Sequence, residues 1–165
     1  MFQRILVAVD RSLAMASQVL AEAEAIALAY QAELHLVHVL SPVQSGYPDP
    51  AYMAIDKALS TVNLPNYEIY LANWEAIQQQ TQAQLQTWAE ASRQQGISTT
   101  ATQLVGDPGK AICTLAKDWS ADLIVLGRRG MDGLGELLLG SVSSYVMHRS
   151  PCAVLVVQGQ GETET

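Results

Sequence analysis

Short β-rich apolar runs alternate with longer stretches of helical spacing along almost the whole chain, and that alternation limits the fold more than any other feature. Arg4–Val9 has the unbroken apolar character of a strand buried on both faces. Asp10-Arg11-Ser12 breaks the run, and Ser12 is placed to cap a helix over Leu13–Tyr30, where Leu13, Ala16, Leu20, Ala23, Ala27 and Tyr30 recur at helical spacing. The same reading predicts strands at Leu34–Leu40, Thr99–Val105, Leu123–Leu126 and Ala153–Val157. It predicts helices at Trp74–Gln95, closed by Gly96, and at Lys110–Trp119 and Ser141–Arg149. Strand and helix in strict alternation predict an α/β fold, a single-domain open parallel sheet of five strands with helices on both faces. At 165 residues one domain is expected, spanning 1–158 and followed by a polar tail at 159–165. Ser41–Asn73, with Pro42, Pro48, Pro50 and Pro65, interrupts the pattern as an insertion or flap, with a short helix expected around Ala51–Ser60.

Composition removes several function classes. A 49% apolar, 15% charged chain has the means to build a packed core. Its net charge of −7 argues against a general nucleic-acid binder, which needs a basic face. An anionic ligand must therefore be held by local N–H groups and a few cations, because the global field opposes it. Cys113 and Cys152 are isolated, without the C-x-x-C of a zinc or dithiol site, and read as buried reduced thiols. No uninterrupted apolar run reaches the roughly 18–20 residues of a bilayer span. Arg4 is followed by only five apolar residues, too few for a secretory leader, so a cytoplasmic protein without membrane attachment is expected.

One stretch points to chemistry. Gly127-Arg128-Arg129-Gly130 leaves the fourth apolar run, and Gly140-Ser141-Val142-Ser143 then opens a helix. Glycines at 127 and 130 allow positive φ and a close approach of backbone to ligand. The first N–H groups of the following helix have no partner inside it, and hydroxyls stand beside them. A strand, a glycine loop and an open helix start together predict a phosphate cradle, with N–H groups of Gly130, Gly140, Ser141 and Val142 and the hydroxyls of Ser141 and Ser143 as donors.

Gly127-x2-Gly130-x9-Gly140-Ser141, with Ile5-Leu6-Val7-Ala8-Val9-Asp10 near the start and Ser150–Val157 near the end, resembles the universal stress protein family in its ATP-binding branch. The resemblance covers about Phe2 to Val157 and implies a Rossmann-like sheet of strand order 3-2-1-4-5. It implies ATP as ligand, with Mg²⁺ on the phosphates. Asp10 would touch the ribose or, indirectly, the nucleotide-bound metal. Backbone near Ala8, Val9 and Val39 would meet the adenine, and Leu126 and Gly127 would border the cradle. Arg129 or Arg128 either reaches a phosphate or stays solvated, and Arg11 either crowds the mouth or adds a phosphate charge. The family also pairs edge strands of two subunits, which implies a homodimer through Ala153–Val157. The implied role is a nucleotide-responsive regulator or stress-protection factor, acting on an unknown downstream protein, with at most slow ATP hydrolysis. An ATP-using enzyme of a related α/β class, and an interaction module binding AMP, a cyclic nucleotide or nothing, are the alternatives.

Other motifs do not hold together. Gly109-Lys110 imitates the end of a phosphate loop, but Leu104 stands where its first glycine belongs and Ala111 where a hydroxyl belongs. His35 and His38, three apart on a strand, point to opposite faces and read as structural. Ser141 and Ser143 have no identifiable His–Asp partners for nucleophilic catalysis.

Overall fold

Five parallel strands form one sheet in the order β3-β2-β1-β4-β5. The computed structural model describes residues 1–41, 64–128 and 140–158. The chain runs β1 (Arg4–Ala8), α1 (Leu13–Tyr30), β2 (Glu33–Leu40), α2 (Leu64–Gln94), β3 (Thr99–Val105), α3 (Pro108–Asp118), β4 (Leu123–Arg128), α4 (Ser141–Arg149) and β5 (Ala153–Gln158). This is the expected α/β architecture.

Several boundaries differ from the sequence reading, most by one or two residues: β1 ends at Ala8 rather than Val9, and two further differences change the assignment of a segment. Helix α2 begins at Leu64 rather than Trp74 and so takes in the end of the predicted insertion. Pro65 is no obstacle there, because a missing N–H in the first helical turn forfeits no intrahelical bond. Strand β4 continues past Leu126, because Gly127 and Arg128 both pair with β5, at Val157 and Gln158. Arg128 is therefore a strand residue, not a loop residue. The helix expected at 51–60, most of the insertion and the tail at 159–165 lie outside the described residues.

A carboxylate sets the start of the sheet. Asp122 Oδ2 accepts hydrogen bonds from the N–H groups of Gln3 at 2.7 Å and Arg4 at 2.8 Å. The Asp122 N–H donates to the Arg4 carbonyl at 2.8 Å. These bonds fix β1 against β4 at their amino ends, and the two backbone donors hold the Asp122 carboxyl below the usual carboxylate range.

Strand alternation then sorts the apolar side chains into two cores. On one face Ile5, Val7, Leu34, Leu36 and Val125 pack against Ala16, Val19 and Ala23 of α1 and Leu85 and Ala89 of α2. On the other, Leu6, Val37, Ile124 and Leu126 pack against Ile112 and Ala116 of α3 and Val146 of α4. Helix α1 has the length and, with a mean hydropathy of 1.2, the composition of a membrane span. That departs from the run-length reading, which missed it because Glu22 and Glu24 interrupt the apolar sequence. Its buried positions Ala16, Val19, Leu20, Ala23 and Ala27 are used to cover the sheet.

The reason for glycine at 127 also changes. Among the described glycines only Gly96 and Gly106 have positive φ, so Gly127 lies in ordinary strand geometry. A Cβ there would run into the Met15 side chain of α1 and approach Val19 Cγ2 to 3.1 Å. Gly127 is thus a packing glycine that lets α1 settle onto the end of β4. Gly127→Ala should cost about 1–3 kcal/mol of folding stability by overpacking, and Met15→Ala in the same chain should recover part of it. A denaturant double-mutant cycle measures this; strictly additive losses would reject the contact as the cause.

Candidate functional site

The middle strand is the shortest of the sheet's inner strands, and this creates the site. β1 ends at Ala8 opposite Val37 of β2 and Leu126 of β4. β2 continues along β3 to Leu40, and β4 continues along β5 to Arg128. Beyond Ala8 the neighbours stand apart, at the carboxyl ends of the strands and at the switch in strand order, where open α/β sheets leave a crevice. A cavity of about 730 Å³ occupies this place.

Its wall brings together the residues singled out from sequence. Ala8, Val9 and Asp10 come from the end of β1, and Val39 from the overhang of β2. Leu126 and Gly127 come from β4, and Gly140, Ser141, Val142 and Ser143 from the start of α4. Arg129 and Gly130 lie outside the described residues. Arg11 lines the cavity, whereas Arg128 does not appear on its wall.

Each contributor is oriented by local physics. Along a parallel strand successive residues turn their N–H and C=O groups to opposite edges. The Val37 carbonyl accepts from the Val9 N–H at 3.0 Å and so faces β1, while the Leu40 carbonyl accepts from the Gly106 N–H at 2.9 Å and faces β3. Val39 therefore turns its backbone donor and acceptor toward the gap that β1 has left. Asp10 Oδ1 accepts from the Ser12 N–H at 2.9 Å, which holds the carboxylate at the cavity's edge, ahead of α1.

The three helix starts near the crevice differ in one respect. Ser12 Oγ caps α1 by accepting from the Met15 N–H, and Asp107 Oδ1 caps α3 by accepting from the Lys110 N–H at 2.9 Å. Helix α4 has Gly140 at that position and no side-chain cap. Its first intrahelical bond is Ser144 N–H to Gly140 C=O, so the N–H groups of Ser141, Val142 and Ser143 precede the ladder. They supply local positive charge to an otherwise acidic chain.

Ser143 is used differently from the sequence expectation. It is buried, and its hydroxyl donates to the Gly127 carbonyl at 3.2 Å, tying α4 to β4. Its proton is engaged with backbone, which leaves the exposed Ser141 hydroxyl as the donor at this helix start. The sequence reading did not place His38 near the site. Read as structural, it is 4% exposed and lines the cavity from the overhang of β2. Burial lowers its pKa, the Asp10 charge raises it, and Arg11 lowers it again. The available signal was that the second apolar run is longer than the first.

The rejected motifs have structural roles. Gly109 sits where a Cβ would come within 2.7 Å of the Tyr145 ring, so it serves the packing of α3 on α4. His35 lies on the opposite face from His38, with Nε2 2.8 Å from Thr102 Oγ1 and its ring edge-on to Trp119. Burial pushes the thiols of Cys113 and Cys152 up, away from the reactive thiolate form. Among the described residues no group of three His, Cys, Asp or Glu side chains is arranged to hold a metal ion.

Comparison with known proteins agrees with this architecture. The universal stress protein family matches residues 1–158. A universal stress protein of Synechocystis is 38% identical over 163 residues, covering 95% of this chain and 98% of its own. Among solved structures, the universal stress protein UspA of Lactobacillus plantarum superposes with a TM-score of 0.63 at 30% identity, covering 94% of this chain and 97% of its own. A universal stress protein solved in complex with cAMP superposes with a TM-score of 0.61 at 25% identity, covering 96% and 98%. With a family match across nearly its whole length and a relative this similar from end to end, the chain belongs to the universal stress protein family.

Proposed function

We propose that the chain binds ATP in the crevice beyond β1, with Mg²⁺ on the phosphates, and acts as a nucleotide-responsive regulator or stress-protection factor. The observation that carries this reading is the uncapped start of α4, the one of these three helices whose N–H groups are left for an anion. A cavity of about 730 Å³ suits a mononucleotide. Phosphate oxygens would lie at the N–H groups of Ser141 and Val142, the adenine edge at the Val39 backbone, and the ribose or the phosphate-bound metal near Asp10. When bound, Mg²⁺ would neutralise phosphate charge in a chain that is itself acidic. A relative crystallised with cAMP supports an adenine nucleotide and leaves AMP-type ligands as the second reading.

Retention of the ligand is favoured over turnover. The Asp10 carboxylate is held by the Ser12 N–H, and the cysteine thiols are pushed toward their protonated form, so neither is poised as base or nucleophile. Freshly purified protein, denatured and analysed by mass spectrometry, should release about one ATP per chain. Protein that is empty and also fails to bind Mg-ATP in calorimetry would refute the proposal.

Gly140→Asp separates the ligand role from helix capping. Gly140 has φ −56° and open space where a Cβ would stand, so the backbone tolerates the change. The new carboxylate should cap α4 and gain a few tenths of a kcal/mol in stability. It should also occupy the helix N–H groups and repel phosphate, weakening ATP binding by about tenfold or more. Unchanged affinity in the stabilised variant would remove the helix start from the site.

We also propose a homodimer through β5. The other edge strand, β3, opens with Thr99-Thr100-Ala101-Thr102-Gln103, whereas β5 begins Ala153-Val154-Leu155-Val156-Val157. A bare apolar edge invites pairing, and a second copy gives it a closed partner. Light scattering should return twice the 17.8 kDa chain mass across the micromolar range. The mass of a single chain there would reject the interface.

A further inference from the structure

We propose that Met15 is a modification site: a two-electron oxidant converts its thioether to the sulfoxide, and the added oxygen closes the crevice to its ligand. The inference rests on the nucleotide reading above for the identity of that ligand and adds how its binding is controlled. Met15 lies in the first turn of α1, half-buried, and lines the cavity. Its Sδ and Cγ are seated against Gly127, where they fill the space that a Cβ at that position would take. Gly127 lines the same cavity, so the thioether stands at the joint of α1 and β4 where both border open space. Met1 and Met147, by contrast, are 93% and 49% exposed and do not line the cavity.

A thioether has no proton to lose, so its oxidation needs access rather than a lowered pKa. That separates it from Cys113 and Cys152, whose thiols burial holds in the protonated form. With hydrogen peroxide, the sulfur lone pair attacks one peroxide oxygen, the O–O bond breaks and an S–O bond forms. Sulfur gives up two electrons, and the departing hydroxide takes the proton of the transferred oxygen and leaves as water. The side chain becomes polar where it was apolar, and a thiol-dependent sulfoxide reductase reverses the change. Packing sets where the oxygen goes. On the Gly127 side a single added carbon already collides with the Met15 side chain and comes within 3.1 Å of Val19 Cγ2. The open side is the cavity, and the oxygen turns into it. There it takes up volume and presents an acceptor to a ligand whose phosphate oxygens are themselves acceptors. A bound nucleotide, in turn, covers the sulfur.

The test treats the native chain with hydrogen peroxide, with and without Mg-ATP, and locates each added oxygen by peptide fragmentation. Calorimetry then gives Kd for Mg-ATP, and Met1 and Met147 calibrate the dose. Met15 should gain one oxygen in the free protein. Mg-ATP at about ten times its Kd should slow this about tenfold, the factor by which it depletes the free site, without protecting Met147. The oxidised chain should bind Mg-ATP about tenfold more weakly or worse, the scale of one polar group set unpaired against the ligand. Met15→Leu, which keeps the volume without the sulfur, should show the same Kd before and after treatment, which excludes Met53 and Met131 as the cause. Met15→Gln, polar from the outset, should bind weakly without any oxidant. Met15 left intact at a dose that fully oxidises Met147, or oxidised with Kd unchanged, would overturn the inference while leaving nucleotide binding in place. A native-sized loss of affinity in treated Met15→Leu would do the same. An untreated native chain that binds no Mg-ATP would remove both readings.

Discussion

The early end of β1 is the constraint on which the rest of this molecule depends. A central parallel strand that stops at Ala8, between neighbours that run on, leaves backbone groups of β2 and a face of β4 without the partner that would otherwise cover them. Such groups must be satisfied by something. The Val9 N–H, just past the strand, satisfies the Val37 carbonyl, and the backbone of Val39 is left facing the cavity. The site is thus a by-product of strand lengths: the chain needs no special scaffold for it beyond a β1 shorter than its neighbours.

Around that gap, the structure treats stability and binding separately. The Asp122 carboxylate and the buried faces of α1, α2, α3 and α4 fix the amino ends of the strands and the two cores. At the carboxyl ends, two helices close their first turns with their own side chains and the third does not. Leaving Gly140 bare gives up a modest stabilisation in exchange for three directed N–H groups at the cavity wall. Such a departure from local sequence rules is what the binding role proposed for this helix start calls for.

Much of this was legible in the sequence, for identifiable reasons. Strand and helix order followed from the alternation of apolar runs, because parallel strands are buried on both faces and helices on one. Gly140, Ser141 and Asp10 were legible because each sits where an element begins or ends. Strand order came from the family resemblance, as alternation alone does not state which strands are neighbours. What escaped reading depended on partners distant in sequence. Gly127 looks like a loop glycine until Met15, from another element, is placed against it. Ser143 looks like a ligand donor until the Gly127 carbonyl is found within reach. His38 looks like core because a histidine in an apolar run gives no sign that the adjacent strand has already ended. The start of α2 at Leu64 was hidden by Pro65, which ordinarily argues against helix and is harmless only in the first turn.

The Ser143 hydroxyl has one more consequence. It joins the first turn of α4 to the Gly127 carbonyl, and Gly127 is itself the ladder partner of Val157 on β5. The cavity wall and the outer border of the sheet are therefore separated by a single hydrogen bond and a single rung. The start of α4 and the outer strand are thus joined through directed contacts on β4 rather than through a connecting loop.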